Sequence, residues 1–275
     1  MNDKSFFYSM PELPEVEMYK RYIDKYALHQ KIKSAIVKNT KILQGSNKKQ
    51  IESVITDDCI TKTKRIGKYL FLYLSKNKFL VFHFGMTGKV HYFKNPQDEP
   101  RHSRFLIQFS NASYLSYDCQ RLFGFIRLID NIETYQSSIN LAPDALSIPK
   151  EEFLTNIKTR TGKIKSILMN QHIISGIGNI YADEICFQNK IHPAQPINKL
   201  SNHQIEAVFN SISTVLTTAI DAHADFSKYP DTFIIPHRIK HGLCPVNKKH
   251  KLKTMKISGR TTYYCPIHQK IKGIK

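Results

Sequence analysis

The 275-residue sequence predicts an α+β fold: an N-terminal helix plus β-sandwich domain, a helical domain, and a C-terminal β-hairpin module carrying Cys and His. Three observations predict it. Residues 31–130 hold short β-rich runs parted by Asn, Lys, Ser and Gly turns, the texture of a sandwich or barrel. Residues 150–225 lose that alternation and take up a helical period. From Thr232 to Lys275 there are eleven Lys and Arg and no Asp or Glu. A solvated basic tail would be the alternative there. The aromatics and cysteines among those charges favour a small folded module.

In chain order, residues 1–9 form a leader ahead of "MPELPEVE" (10–17). Pro14, Glu15 and Glu17 suit the first turn of a helix, where proline and carboxylates are favoured. Val16, Tyr19, Ile23 and Tyr26 continue it as an apolar stripe, leaving Pro11 and Glu12 just ahead of the helix. "KSAIVKN", "KYLFLYLS", "KFLVFHFG", "RFLIQFS" and "RLFGFIRLI" are the strands that complete a domain over 10–140. "LAPDALSIPKEEF" reads as a linker (141–150) ending at a helix start between Ser147 and Glu152. In the helical domain (151–236), "KIKSILMNQHIIS" and "NIYADEICFQNK" are two helices joined by "GIG". A third helix starts with Ser201 or Asn202 as its cap. The basic module spans 237–275.

The formal charge of +19 implies a polyanionic partner, nucleic acid first. There is no run of 18 apolar residues to span a membrane, and "SFFYSM" is too short and too polar-flanked for a signal peptide. Five cysteines in no regular framework indicate a reducing, cytoplasmic setting. Cys59, Cys119 and Cys186 sit in apolar surroundings and read as core.

The basic module carries a candidate metal site. In Cys265-Pro-Ile-His268 a two-residue gap lets both side chains reach one ion. Cys244 would pair with position 247, but Asn247 stands there. His250 is the next available ligand, with His241 an alternative on the other side. Cys244, His250, Cys265 and His268 make a tetrahedral set for one structural zinc per chain. The residues between them read as a β-hairpin turning near Ser258-Gly259.

These segments resemble the formamidopyrimidine-DNA glycosylase/endonuclease VIII family. "MPELPEVE", "RIGKYLFL", "HFGMTG", "DCQRLFG", "LMNQHIISGIGNIYADEI" and "GRTTYYCPIHQ" follow the family's order over nearly the whole chain from Met10. The resemblance implies a β-sandwich domain, a helix–two-turn–helix domain and a zinc finger. It implies a base-excision-repair DNA glycosylase with AP lyase activity, acting on damaged double-stranded DNA with no small-molecule cofactor. We expect a monomer, nucleoid-associated if bacterial.

The family's nucleophile is an N-terminal proline, which maps to Pro11. Its amine would have a pKa of roughly 7.7–8.0 against about 10.4 for lysine, so far more of it is neutral at pH 7. The resemblance makes Glu12 the proton shuttle, Glu15 a support, and Lys68, placed in a strand, a contact to phosphate beside the lesion. Met86, Arg121 and Phe123 match the side chains that fill the hole left by a flipped base. The family has one residue fewer before that arginine, which leaves the register of Arg121 and Leu122 open. Asn179 is expected to cap its helix and donate to phosphate, with Tyr181 in the same segment. His83, Lys165 and Arg260 are further phosphate contacts. "ADFSKYPDTFIIP" is shorter than the glycine-rich segment that covers oxidised purines in many members. A non-catalytic damaged-DNA-binding protein, with Pro11 blocked by the leader, is the rival reading, and an RNA-binding module a weaker one.

Overall fold

The computed structural model describes residues 10–271; the leader 1–9 lies outside them. Over these residues the chain divides into two compact units. One holds residues 10–11 and Glu15–Ile139, the other Glu12–Pro14 and residues 140–271.

In the first unit, helix α1 (Leu13–Tyr26) follows the expected stripe: Val16 and Ile23 are fully buried, and Tyr19 lies 4.6 Å from the Phe84 ring. The strands form two antiparallel four-stranded sheets. One has the order β1 (Ile32–Val37), β6 (Ser103–Phe109), β7 (Tyr114–Cys119), β5 (Gly88–Phe93). The other runs β2 (Ile60–Ile66), β3 (Tyr69–Leu74), β4 (Phe79–His83), β8 (Phe125–Ile129). Leu70, Leu72 and Phe82 of one sheet share a core with Phe105, Ile107 and Tyr117 of the other. Phe82 lies 5.3 Å from Tyr117, and each such buried side chain contributes about 1.5–3 kcal/mol. Helices α2 (Lys48–Ile55) and α3 (Ile132–Ser138) are capped by Asn47 and Asn131, whose side chains accept from Gln50 and Thr134 N–H.

The second unit holds α4 (Lys150–Lys158), α5 (Ile164–Leu168), α6 (Asn179–Gln188), α7 (Asn202–Asp221) and the hairpin β9 (Lys253–Ile257) and β10 (Arg260–Tyr264). Helix α4 starts at Lys150, after Pro149, inside the Ser147–Glu152 window expected for it. One expectation shifts. The helix expected over "KIKSILMNQHIIS" is only the five residues of α5. Gln171 explains the break: its amide donates to Met169 O and Ile177 O and accepts from Gly176 N–H, closing a double turn in place of helix. The 142–148 segment packs on that turn, with Ala142 N–H donating to Gln171 O and Ala145 N–H to Ser175 O. Helix α7 opens with a capping box of Ser201 and Gln204. Among the described residues no helix is long and apolar enough to cross a membrane.

Candidate active site and nucleic-acid interface

Pro11 is buried immediately before Glu12, whose side chain is 1% exposed. Both carboxylate oxygens of Glu12 are committed to the start of α6. Oε2 accepts from Gly178 N–H at 2.7 Å and from Tyr181 N–H at 3.4 Å, and Oε1 from Ile180 N–H at 2.8 Å. Gly178, at the cap position, has no side chain to offer, so a residue 166 positions earlier caps the helix. Only glycine fits: a Cβ on Gly178 would stand 2.4 Å from the Glu12 carboxyl carbon. Donors and helix dipole together hold a negative group there. This corrects the expectation that Asn179 caps α6, because Asn179 is the first helical residue. Glu15 is buried in the first turn of α1.

In the sandwich unit Lys68 lies in the two-residue turn between β2 and β3, half-buried, and not in a strand as expected. The turn brings it near His83. Burial and the Lys68 charge pull the His83 pKa down to about 4. The imidazole is therefore neutral at pH 7. Its Nδ1 accepts from Gly85 N–H at 3.3 Å, which puts the proton on Nε2. The ring is stacked on Phe125 at 5.1 Å, and its Nε2–H is the donor this tautomer offers.

Met86 is half-buried in the turn that follows. Gly85, at φ +55°, approaches the Phe123 carbonyl so closely that a Cβ would come within 2.4 Å of its oxygen, so the Met86 turn and the β7–β8 loop support each other. Arg121 N–H also donates to Thr87 Oγ1 at 3.1 Å. Arg121 and Phe123 are exposed, with the guanidinium 5.0 Å from the ring, while Leu122, at φ +55°, packs on the core. The open register thus places arginine and phenylalanine outward and leucine inward.

In the helical unit, Asn179 is half-buried, and Arg260 is exposed next to the Ser258-Gly259 turn. Lys165 departs from expectation. It is fully buried, its Nζ 2.6 Å from Asp183 Oδ1 and donating to Asn179 Oδ1 at 2.7 Å and Thr262 Oγ1 at 2.8 Å. An ammonium so enclosed has no face for phosphate. Burial lowers its pKa, against the attraction of Asp183. Tyr181 is fully buried as well, its hydroxyl 2.8 Å from that of Tyr229, and so does not reach nucleic acid with its side chain. Asp183 and Arg238, paired at 2.9 Å, were not singled out from sequence. Two adjacent carboxylates, Asp183 and Glu184, inside the otherwise apolar "IYADEICF" were the available signal. Burial raises Glu184 to about 7, while N–H groups of Ile234 and Ile235 bind it ahead of the basic module.

Cys244, His250 and Cys265 place their ligand atoms within 4.8 Å of one another. Cys265 Sγ lies 3.9 Å from His250 Nδ1, close to the ~3.6 Å that tetrahedral zinc bond lengths require. Neither cysteine is in a disulfide. Two thiols and an imidazole suit a borderline-soft ion, so the donor set fits. His268 stands outside this trio, although its backbone N–H donates to Cys265 Sγ at 3.4 Å. His241, the alternative ligand, is exposed and also outside the trio.

Residues 10–126 match the formamidopyrimidine-DNA glycosylase N-terminal domain, and residues 141–230 the H2TH domain of the same enzymes. A formamidopyrimidine-DNA glycosylase of Arabidopsis thaliana is 34% identical over 96% of this chain and 72% of its own length. One of Mycoplasmopsis pulmonis is 30% identical over 96% and 99%. Among solved structures, the Lactococcus lactis protein in complex with abasic-site DNA superposes with a TM-score of 0.85 at 26% identity, covering 94% of this chain and 99% of that one. A mutant of that protein bound to DNA containing Fapy-dG gives 0.86 at 27% identity, covering 94% and 100%.

Proposed function

The chain belongs to the formamidopyrimidine-DNA glycosylase family and is a base-excision DNA glycosylase; from that premise we propose that it works through a Schiff base on Pro11 and then cleaves the strand. The observation that carries this reading is the Pro11-Glu12 pair, with Glu12 clamped at the head of α6. In the proposed step the lone pair of a free Pro11 amine attacks the sugar C1′. The C1′–base bond breaks and the departing base takes up a proton from solvent; the C1′–O4′ bond then opens, O4′ receives the proton given up by the amine, and the nitrogen lone pair forms the C1′=N bond of an iminium cation. That cation draws electrons from the sugar as the 3′-phosphate is eliminated. Glu12 exchanges protons with the sugar.

The substrate is damaged duplex DNA, its target nucleotide extruded from the stack. Lys68, neutral His83, Asn179 and Arg260 meet phosphates, and Met86, Arg121 and Phe123 occupy the vacated space. Lys165 and Tyr181 are withdrawn from that set. One chain acts per lesion, wherever the cell keeps its DNA.

Ring-opened purines are the preferred lesions. The 224–236 segment supports this: it is short, turned around Phe226–Lys228 and Ile235–His237, with Tyr229 buried against Phe233, and has no glycine-rich loop to cover an oxidised purine. Duplexes carrying Fapy-dG should be nicked at least about tenfold faster than 8-oxoguanine duplexes, about 1.4 kcal/mol in the barrier. Equal or faster nicking of 8-oxoguanine would overturn the lesion assignment.

The Cys/His group holds one structural zinc, with His268 as the fourth ligand; the ion would lock the two halves of the basic module together. Elemental analysis should give about one zinc per chain, lost on Cys244→Ser or His250→Ala. A folded wild-type chain well below that stoichiometry removes the assignment.

A further inference from the structure

We propose that Lys165 and Asp183 are positioning residues: they aim the Asn179 amide and fix the strand bearing Arg260, and neither meets DNA. The proposal rests on the reading of Asn179 and Arg260 as phosphate contacts.

The orientation of the amide follows from donor and acceptor identity. Lysine has only donors, so the atom of Asn179 facing Lys165 Nζ at 2.7 Å must be the oxygen. The NH2 group is then turned to the opposite edge. One of its protons goes to Thr261 O at 3.1 Å. The other has no hydrogen-bond partner among the described residues and lies on a half-buried side chain at the start of α6. Without the Lys165 contact the amide could rotate by 180° and present its carbonyl to the phosphate, turning an attraction into a repulsion.

The same two residues hold the finger strand. Three successive residues of β10 are tied to α5 and α6. Thr261 O accepts from Asn179, Thr262 Oγ1 from Lys165, and Tyr263 N–H donates to Asp183 Oδ2 at 3.0 Å. The residue before these three is Arg260. Asp183 also pairs with Arg238, through Nε at 3.0 Å and Nη2 at 2.9 Å. A further contact, Ser166 Oγ to Ser258 Oγ at 3.0 Å, holds the hairpin tip itself. The buried pair thus sets both the direction of one donor and the register of the other.

The test is affinity for a duplex containing a tetrahydrofuran abasic analogue, with zinc content and melting as checks of folding. Lys165→Met should weaken binding by about tenfold in the wild-type chain. In a chain already carrying Asn179→Ala and Arg260→Ala it should cost less than about twofold, because it acts through those residues. A full tenfold cost in that background means Lys165 acts on DNA by its own route, and overturns the proposal. If Lys165→Met does not fold, the charge-balanced Lys165→Met/Asp183→Asn pair takes its place in both backgrounds. In DNA-free protein, the Asn179 side-chain amide protons should give one protected and one exchanging NMR signal, averaged in the Lys165 variant. An unchanged pair overturns the orientation argument. If Asn179→Ala and Arg260→Ala leave affinity intact, the phosphate assignments fall, and the amide signals still decide whether Lys165 orients Asn179.

Discussion

A chain whose first residue is Pro11 should form a borohydride-stable covalent complex with abasic-site DNA, and the same chain carrying residues 1–10 should form none. The difference lies in one nitrogen. In a peptide bond the proline nitrogen shares its lone pair with the preceding carbonyl; it is not basic and cannot attack C1′. Freed, it becomes a secondary amine with an α-amino pKa of roughly 7.7–8.0, partly neutral at pH 7 and nucleophilic. Losing the nucleophile should reduce strand cleavage by at least about a thousandfold, more than 4 kcal/mol of barrier. Intact-mass measurement of each preparation establishes which N-terminus it carries. Trapping by a chain with a proven intact leader would transfer the nucleophile to another amine. Tight abasic-DNA binding without trapping by the Pro11-first chain would favour the non-catalytic binding protein.

Changing Glu12 should separate proton transfer from helix capping. Glu12→Ala removes an acceptor that three backbone N–H groups share. A lost cap costs about 0.5–2 kcal/mol, and leaving buried donors unpaired adds about 1–3 kcal/mol, so the melting point should fall clearly. Glu12→Gln keeps the volume and one acceptor oxygen, but its NH2 must face the N–H of either Gly178 or Ile180. It should fold with a smaller loss. Both variants lack the ionisable group, so base excision should fall by about 10²–10⁴ in each. Measured under single turnover where both are folded, excision that tracks melting temperature rather than the carboxylate would reduce Glu12 to a structural cap. Trapping on a ready-made abasic site should survive in Glu12→Gln, since attack on an existing aldehyde needs less proton transfer.

Much of the layout was legible because local pattern and tertiary role agree. The apolar stripe Val16, Tyr19, Ile23 and the alternating runs such as "KYLFLYLS" carry their periods directly. Phe123 was legible in a loop and stands exposed, whereas Met86, in its glycine-flanked turn, is half-buried. What escaped depends on partners distant in sequence. Lys165 sits in "KIKSIL", where nothing local distinguishes a buried lysine from a solvent-facing one; its burial is decided by Asp183 and Thr262, 18 and 97 positions away. The cap on α6 went to Asn179 because local rules favour an Asn at a helix start, whereas Glu12 provides it. His250 was legible as a ligand beside the two cysteines, and its backbone carbonyl, which accepts from Cys244 N–H at 2.8 Å, folds the first loop around them; His268, favoured by the Cys-x-x-His spacing, stands outside that trio.

The distance in sequence between Glu12 and the amides that hold it has a consequence for synthesis. A ribosome must add 166 further residues before Gly178 exists to receive that carboxylate, and closing so long a loop occurs only once α6 has formed. Unfinished or truncated chains that end before Gly178 therefore leave the Glu12 carboxylate without the amides that hold it in the complete chain.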